Sequence, residues 1–287
     1  MMKHHHIRFV YVFSALVLMS ACSVNYSGVR FNDFSDASAL LGKNVDYVIQ
    51  QARAEELNLR RAEALNKEAV EPADFQPRVL TIQHVEIRKE LTKYLASYTQ
   101  LLASLVNPGD REELRRRALT VYTNIQTIDA NHKGFLSTGE QSVIATWAAT
   151  IPEAMTAAKR RAKLLTIMEQ NQPRLEKITD VLTGEIQSLQ LLVNNFYQRQ
   201  FLLLVGDRWD TDRHSRGKLA QEAQDLIVRR DRLNVIFTDL GKALGYIPRT
   251  HKELRRTLKN SGSPLRATIE LLELTNRIET YFQELSY

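Results

Sequence analysis

The residues best spaced for chemistry lie between Asp129 and Glu140, in the stretch DANHKGFLSTGE. Asp129, Asn131, Ser137 and Glu140 offer side-chain oxygens, and Phe135 offers a backbone carbonyl. Hard cations such as calcium are held by sets of oxygens of this kind, wrapped by a sharp turn at a glycine. Gly134 stands where that turn is needed. Lys133 stands among the ligands, and an ammonium group has no lone pair to give and repels a cation. A second polar group, Asp207, Asp210, Asp212 and His214, lies in the stretch from Gly206 to Gly217 beside Trp209. Carboxylates with an imidazole can hold a divalent metal, but the same residues at short spacing also cap helices and make turns.

The order of residues from Asp129 to Glu140 resembles the calcium loop of EF-hand proteins. Asp129, Asn131, Gly134, Phe135, Ser137 and Glu140 fall at its positions 1, 3, 6, 7, 9 and 12, and Lys133 departs from it at position 5. The resemblance implies calcium as the one candidate cofactor, held by Asp129, Asn131, Phe135, Ser137 and Glu140. Such loops commonly work in pairs, and this one stands alone, so the expectation is a turn between two helices rather than a metal site. No catalytic residue is assigned. The chain has no HExxH pair, no GxSxG elbow and no phosphate-binding glycine loop. The balance is against an enzyme, although long helices can bring distant carboxylates together without a local motif.

The N-terminus is more specific. Lys3 and Arg8 supply positive charge, a short apolar stretch runs from Ile7 to Met19, and Ser20-Ala21-Cys22 follows. This is the layout of a secretory signal, too short in its apolar part to span a bilayer as a helix. The stretch LMSAC resembles the lipobox of bacterial lipoproteins. It implies cleavage before Cys22, lipidation of its thiol and a palmitate-type anchor. Ser23 follows, with no Asp to suggest inner-membrane retention, so the expected location is the outer membrane, facing the periplasm. Cys22 is the only cysteine, so the chain forms no internal disulfide.

Residues 1–21 are thus expected to be a signal peptide, 22–35 a lipidated tether and 36–287 a helical bundle, with a subdivision near 129–140. The chain carries 39 basic and 33 acidic residues, a net charge of +6. Losing Lys3 and Arg8 leaves a modest excess. The clusters Arg115–Arg117, Lys159–Arg161 and Arg229-Arg230 carry no interleaved aromatic platform, so nucleic acid is not an expected partner.

The elements that must position all this read as helices. Glycine and proline number only eleven and seven, and strong helix formers dominate. Apolar stripes predict helices over about 36–69, 77–106, 111–128, 138–169, 173–205, 218–244, 251–258 and 265–285. Pro152 is expected to break the fourth of these, Pro173 to open the fifth, and Gly245 with Pro248 to end the sixth. Leu91, Tyr94, Leu95, Tyr98, Leu101, Leu102 and Leu105 form one broad stripe. The run Phe201–Val205 is apolar on every side, so it is central or faces a partner. The fold class expected is all-α, an elongated bundle of long antiparallel helices with coiled-coil-like spacing, tethered at its N-terminus. The function expected is binding or scaffolding at the envelope, with an envelope protein or a second copy as partner and the membrane reached through the lipid. The alternatives are a membrane-active, toxin-like helical protein and an enzyme whose site is assembled between helices.

Overall fold

Apolar residues three and four apart make each long segment bury one stripe, and only other helices can cover stripes of that length. The computed structural model describes residues 4–65, 67–80, 82–106, 111–131, 157–206, 213–260 and 266–285, with side chains of the first helix described from Arg30 onward. Among these residues the chain forms six helices: α1 His4–Ala64, α2 Ile82–Val106, α3 Arg111–Asn131, α4 Ala157–Val205, α5 Arg213–Asn260 and α6 Arg266–Leu285. A single 3-10 turn, Pro72–Phe75, lies between α1 and α2, and no strand occurs among the described residues. The chain is an all-α bundle.

The pairing is antiparallel between α1 and α2, where Gly42 lies against Thr92 and Glu56 meets Arg78–Leu80. It is also antiparallel between α4 and α5, where Gln172 meets His251 and Asn194 meets Asn234. The same holds for α2 with α3, through Ser97 and Asn124, and for α5 with α6, through Asp239 and Arg277. α1 and α6 run parallel, since Asn44 bonds the Thr275 carbonyl and Tyr47 packs on Phe282. One core runs through all six helices, with Phe34, Tyr94, Tyr98, Leu182, Leu240 and Ile278 among its buried members.

The seven apolar residues expected on the α2 stripe are all buried. The boundaries differ more than the stripes. Phe31 and Phe34 are buried, so packing begins inside the stretch expected as a tether. They extend the apolar face of Ala37, Leu41 and Val45 backward at helical spacing, and α1 is helical there and through Cys22. At its other end α1 stops at Ala64, short of the expected Ala69. The chain must turn early because the buried Glu56 carboxylate accepts the backbone N–H groups of Arg78, Val79 and Leu80 at 2.6, 2.8 and 2.9 Å. Leu65, inside the helix expected over 36–69, is left 75% exposed by this turn. Asp74 braces the same loop, accepting from the Glu71 amide at 3.1 Å and from Lys67. The Lys67 hydrogen bond, with that of Glu71, holds the Asp74 carboxyl below its ordinary range.

Neither Pro173 nor Pro248 marks a helix end. Pro173 and Pro248 lie inside α4 and α5, and the expected short helix at 251–258 is the last part of α5. Each proline loses one backbone hydrogen bond, a cost of about 3 kcal/mol in an unsupported helix. Burial at helical spacing continues on both sides, through Ile167, Met168, Asn171 and Leu175 in α4 and through Leu240, Leu244, Ile247 and His251 in α5. Breaking either helix would uncover that stripe. The expected break at Pro152 lies outside the described residues.

Candidate functional site

Where the two proline-bearing segments meet, the bundle interior is polar. Asn171, Gln172 and Arg174 from α4 and Thr250 and His251 from α5 are all buried, together with Tyr94 and Tyr98 from α2. His251 Nδ1 lies 2.6 Å from Gln172 Oε1, and its Nε2 lies 2.8 Å from the Tyr98 hydroxyl. An amide oxygen only accepts, so the ring proton sits on Nδ1 and Nε2 accepts from Tyr98. The amide nitrogen of Gln172 donates to Glu176 Oε1 at 2.9 Å and to the Pro248 carbonyl at 3.3 Å. Glu176 carries the chain of bonds outward to Lys252 at 2.7 Å. Beside it, Asn171 Oδ1 accepts from Arg174 at 2.6 Å and from Tyr94 at 3.3 Å.

The electrostatics agree with this proton placement. Burial, aided by the nearby Arg255 charge, pushes the His251 pKa down to about 3 against the pull of Glu176, so the ring is neutral near pH 7. Burial, with Tyr94 beside it, pushes the Tyr98 hydroxyl well above its ordinary value, so it stays a donor. Hydrogen bonds from Lys252 and then Gln172 hold the Glu176 carboxyl low. A ring with no exposed surface meets no substrate. What the Tyr98–His251–Gln172 bonds do is fix the register of α2, α4 and α5, because these three side chains meet in only one alignment.

Of the residues singled out for calcium, Asp129 and Asn131 lie in the last turns of α3, beyond the expected helix end at Ile128. The Asn131 amide donates to Glu90 Oε1 at 2.7 Å. Phe135, Ser137 and Glu140 lie outside the described residues, as do Asp207, Asp210 and Asp212. His214 is in the first turn of α5. Among the described residues, no three His, Cys, Asp or Glu side chains are gathered as a metal site.

Among the described residues, the surface is open at the far end of the bundle. There α3 has ended near Glu90 and α6 near Tyr47, so α1, α4 and α5 extend beyond them. The run Phe201–Val205 lies here, half-buried, with Leu202 60% exposed. A groove of about 500 Å³ runs between α4 and α5, with Tyr197, Phe201 and Leu226 in its floor and Asn194, Arg230 and Asn234 on its walls. A second, of about 280 Å³, is lined by Leu65 just past α1, Leu203 and Leu204 of α4 and Leu226 of α5. Leu65, Val70, Phe75 and Val79 stand exposed in the segment that follows α1. Such a collection of apolar surface is the usual mark of an interaction site.

Sequence reasoning missed the His251 cluster, because Pro248 suggested that His251 belonged to a separate short helix. The signal that could have found it is the burial period running across Pro248. No helix among the described residues is long and apolar enough to cross a membrane. No protein-family model, curated protein or solved structure matches this chain.

Proposed function

We propose that this chain is a lipid-anchored envelope protein that acts as a binding or scaffolding rod at the periplasmic face of the outer membrane. The anchor is Cys22, in the lipobox-like stretch LMSAC, and the working end is the apolar tip around Leu65 and Leu202. The observation that carries the reading is their separation. Cys22 and Ala64 lie on one continuous helix, α1, so anchor and tip stand roughly 60 Å apart at 1.5 Å per residue. A rod of that length holds a partner, or a second copy, away from the lipid surface. Long helices joined over one core make such a spacer stiff. Calcium is not needed for this role.

Two measurements test it. Cys22→Ala releases the protein from the membrane fraction, and a variant that stays attached overturns the anchor. Photo-crosslinkers at Leu65 and Leu202, in cells, capture an envelope protein or a second copy, whereas one at Leu119 on α3 does not. Absence of any adduct at the tip overturns the scaffold role. The exposure of Leu202 also favours a second reading, a tip that enters lipid, and leakage from vesicles exposed to the protein distinguishes it.

A further inference from the structure

We infer that the outer face of α4 is a seam along which a second copy of this chain packs in parallel. α4 carries two stripes. The inner one, with Leu182, Ile186, Leu189, Val193 and Phe196, is buried in the bundle core. The outer one starts at Val181 and ends at Leu202, and every member of it is exposed. Its first positions are Val181, Ser188, Asn195 and Leu202, and its fourth positions are Gly184, Leu191 and Gln198. The steps alternate between three and four residues, which is the heptad seam of paired helices. Leu191 stands 73% exposed in the middle of this stripe and Leu202 60% exposed at its end.

The second observation is charge. Of the whole chain, 25% of residues are charged. Between Val181 and Gln198 only Glu185 is, and it pairs with Arg88 of α2. Arg199, at the border, pairs with Glu63 of α1. The exposed side of α5 alongside is the contrast, with Glu222, Asp225, Arg229, Asp231 and Arg232. A helix side that meets only water is ordinarily charged in this way.

Neutrality selects the occupant. In a parallel pair about a twofold axis each seam residue meets its own twin, so a charged residue would meet a like charge. The seam from Val181 to Leu202 holds none. Amides and hydroxyls both donate and accept, so Ser188, Asn195 and Gln198 can each bond to a twin. The residue types also follow the rule for two parallel strands. β-branched Val181 and the register-setting Asn195 fall at first positions, and Leu191 falls at a fourth. A narrow seam of this kind lies at the low end of specific interfaces, below about 1,200 Å² in total, so the dimer is reversible. The inference deepens the scaffold reading by naming a second copy as partner, and two copies anchored in one membrane would meet in the same direction. The seam residues themselves do not depend on the anchor.

Sedimentation equilibrium of the full chain tests it. Any association through the N-terminal segment is common to all variants, so the contrast between variants isolates the seam. The wild type shows a monomer–dimer equilibrium. Leu191→Glu weakens it on the order of tenfold or more, because each new charge meets its twin. Gly184→Leu tightens it on the order of tenfold by filling the seam. Nothing lies within 4 Å of where a Cβ at Gly184 would stand, so the monomer accepts that side chain. Ile269→Glu on α6, which among the described residues does not touch α4, changes it less than about twofold. Orientation is read from Gly184→Cys, Leu191→Cys and Gln198→Cys, each alone in a Cys22→Ala background. A parallel pair forms the disulfide at all three positions, whereas an antiparallel pair forms it at one at most. A wild type that stays monomeric, a dimer indifferent to Leu191→Glu, or a disulfide at a single position overturns the inference. If Leu191→Glu loses its helical circular dichroism, Leu191→Gln replaces it, with a smaller but still seam-specific loss. Failure of the anchor shows instead as membrane retention of Cys22→Ala, and failure of the tip as absence of adducts at Leu65, which lies off the seam.

Discussion

His251 shows how one buried residue couples the bundle to pH. Its folded pKa, about 3, lies below the ordinary 6.5, so between those values the unfolded chain binds the extra proton. Stability from this residue is therefore complete above pH 6.5 and falls as the pH drops toward 3. At about 1.4 kcal/mol per pH unit, the loss on going from pH 7 to pH 4.5 is about 2–3 kcal/mol. Carboxylates held low, such as Asp74, Glu113 and Glu176, also weaken the fold in acid. The difference between wild type and His251→Gln isolates the histidine. Urea titrations at the two pH values should show the wild-type advantage shrinking by that amount, and an advantage that stays constant would mean that the ring is already charged or is not buried. In the sequence, only the apolar period that runs across Pro248 points to its burial. The residue becomes buried only because Tyr98, Gln172 and Phe34, far away in the chain, close around it.

At the scale of elements, periodicity was a better guide than punctuation. The helix ends expected at Val106 and the start at Arg111 coincide with those of α2 and α3, where Asn107-Pro108-Gly109-Asp110 intervenes. Single prolines inside strong stripes did not act in the same way, and α4 and α5 run through Pro173 and Pro248. Pro173 is exposed, and the carbonyl it leaves unbonded belongs to exposed Glu169, so water can reach it. Pro173→Ala should restore that helical bond and raise stability by about 1–2 kcal/mol, less than the full cost of an interior proline because the unfolded chain gains freedom. Thermal unfolding measures it. A loss instead of a gain would mean that Pro173 is needed to aim Gln172 at His251. The composition of the run Phe201–Val205 suits a core or an interface, and its place at the end of α4 leaves it half-buried.

For the whole molecule, the length of the helices sets the shape. α4 and α5, of 49 and 48 residues, each span roughly 70 Å at 1.5 Å per residue. They lie side by side over that length, since Arg161 meets Leu258 at one end and Asn194 meets Asn234 well along the pair. Small-angle scattering of the purified protein should give a maximum dimension of at least about 75 Å. A markedly smaller value would require the α4–α5 hairpin to fold back on itself. The proposed function lives at this scale too, with Cys22 toward one end of α1 and exposed apolar residues beyond Ala64 at the other.

The all-α class and the buried stripes of α2, α4 and α5 follow from the sequence by itself, because helix propensity and the spacing of apolar residues are local properties. The lipobox-like stretch is equally local. Tertiary structure alone decided which polar residues are interior, where the chain after α1 turns back onto Glu56, and which of the described apolar residues stay exposed. Those outcomes depend on the relative alignment of helices that are distant in sequence, and alignment is set by contacts such as Tyr98 with His251 and Glu56 with Leu80 that no local pattern encodes.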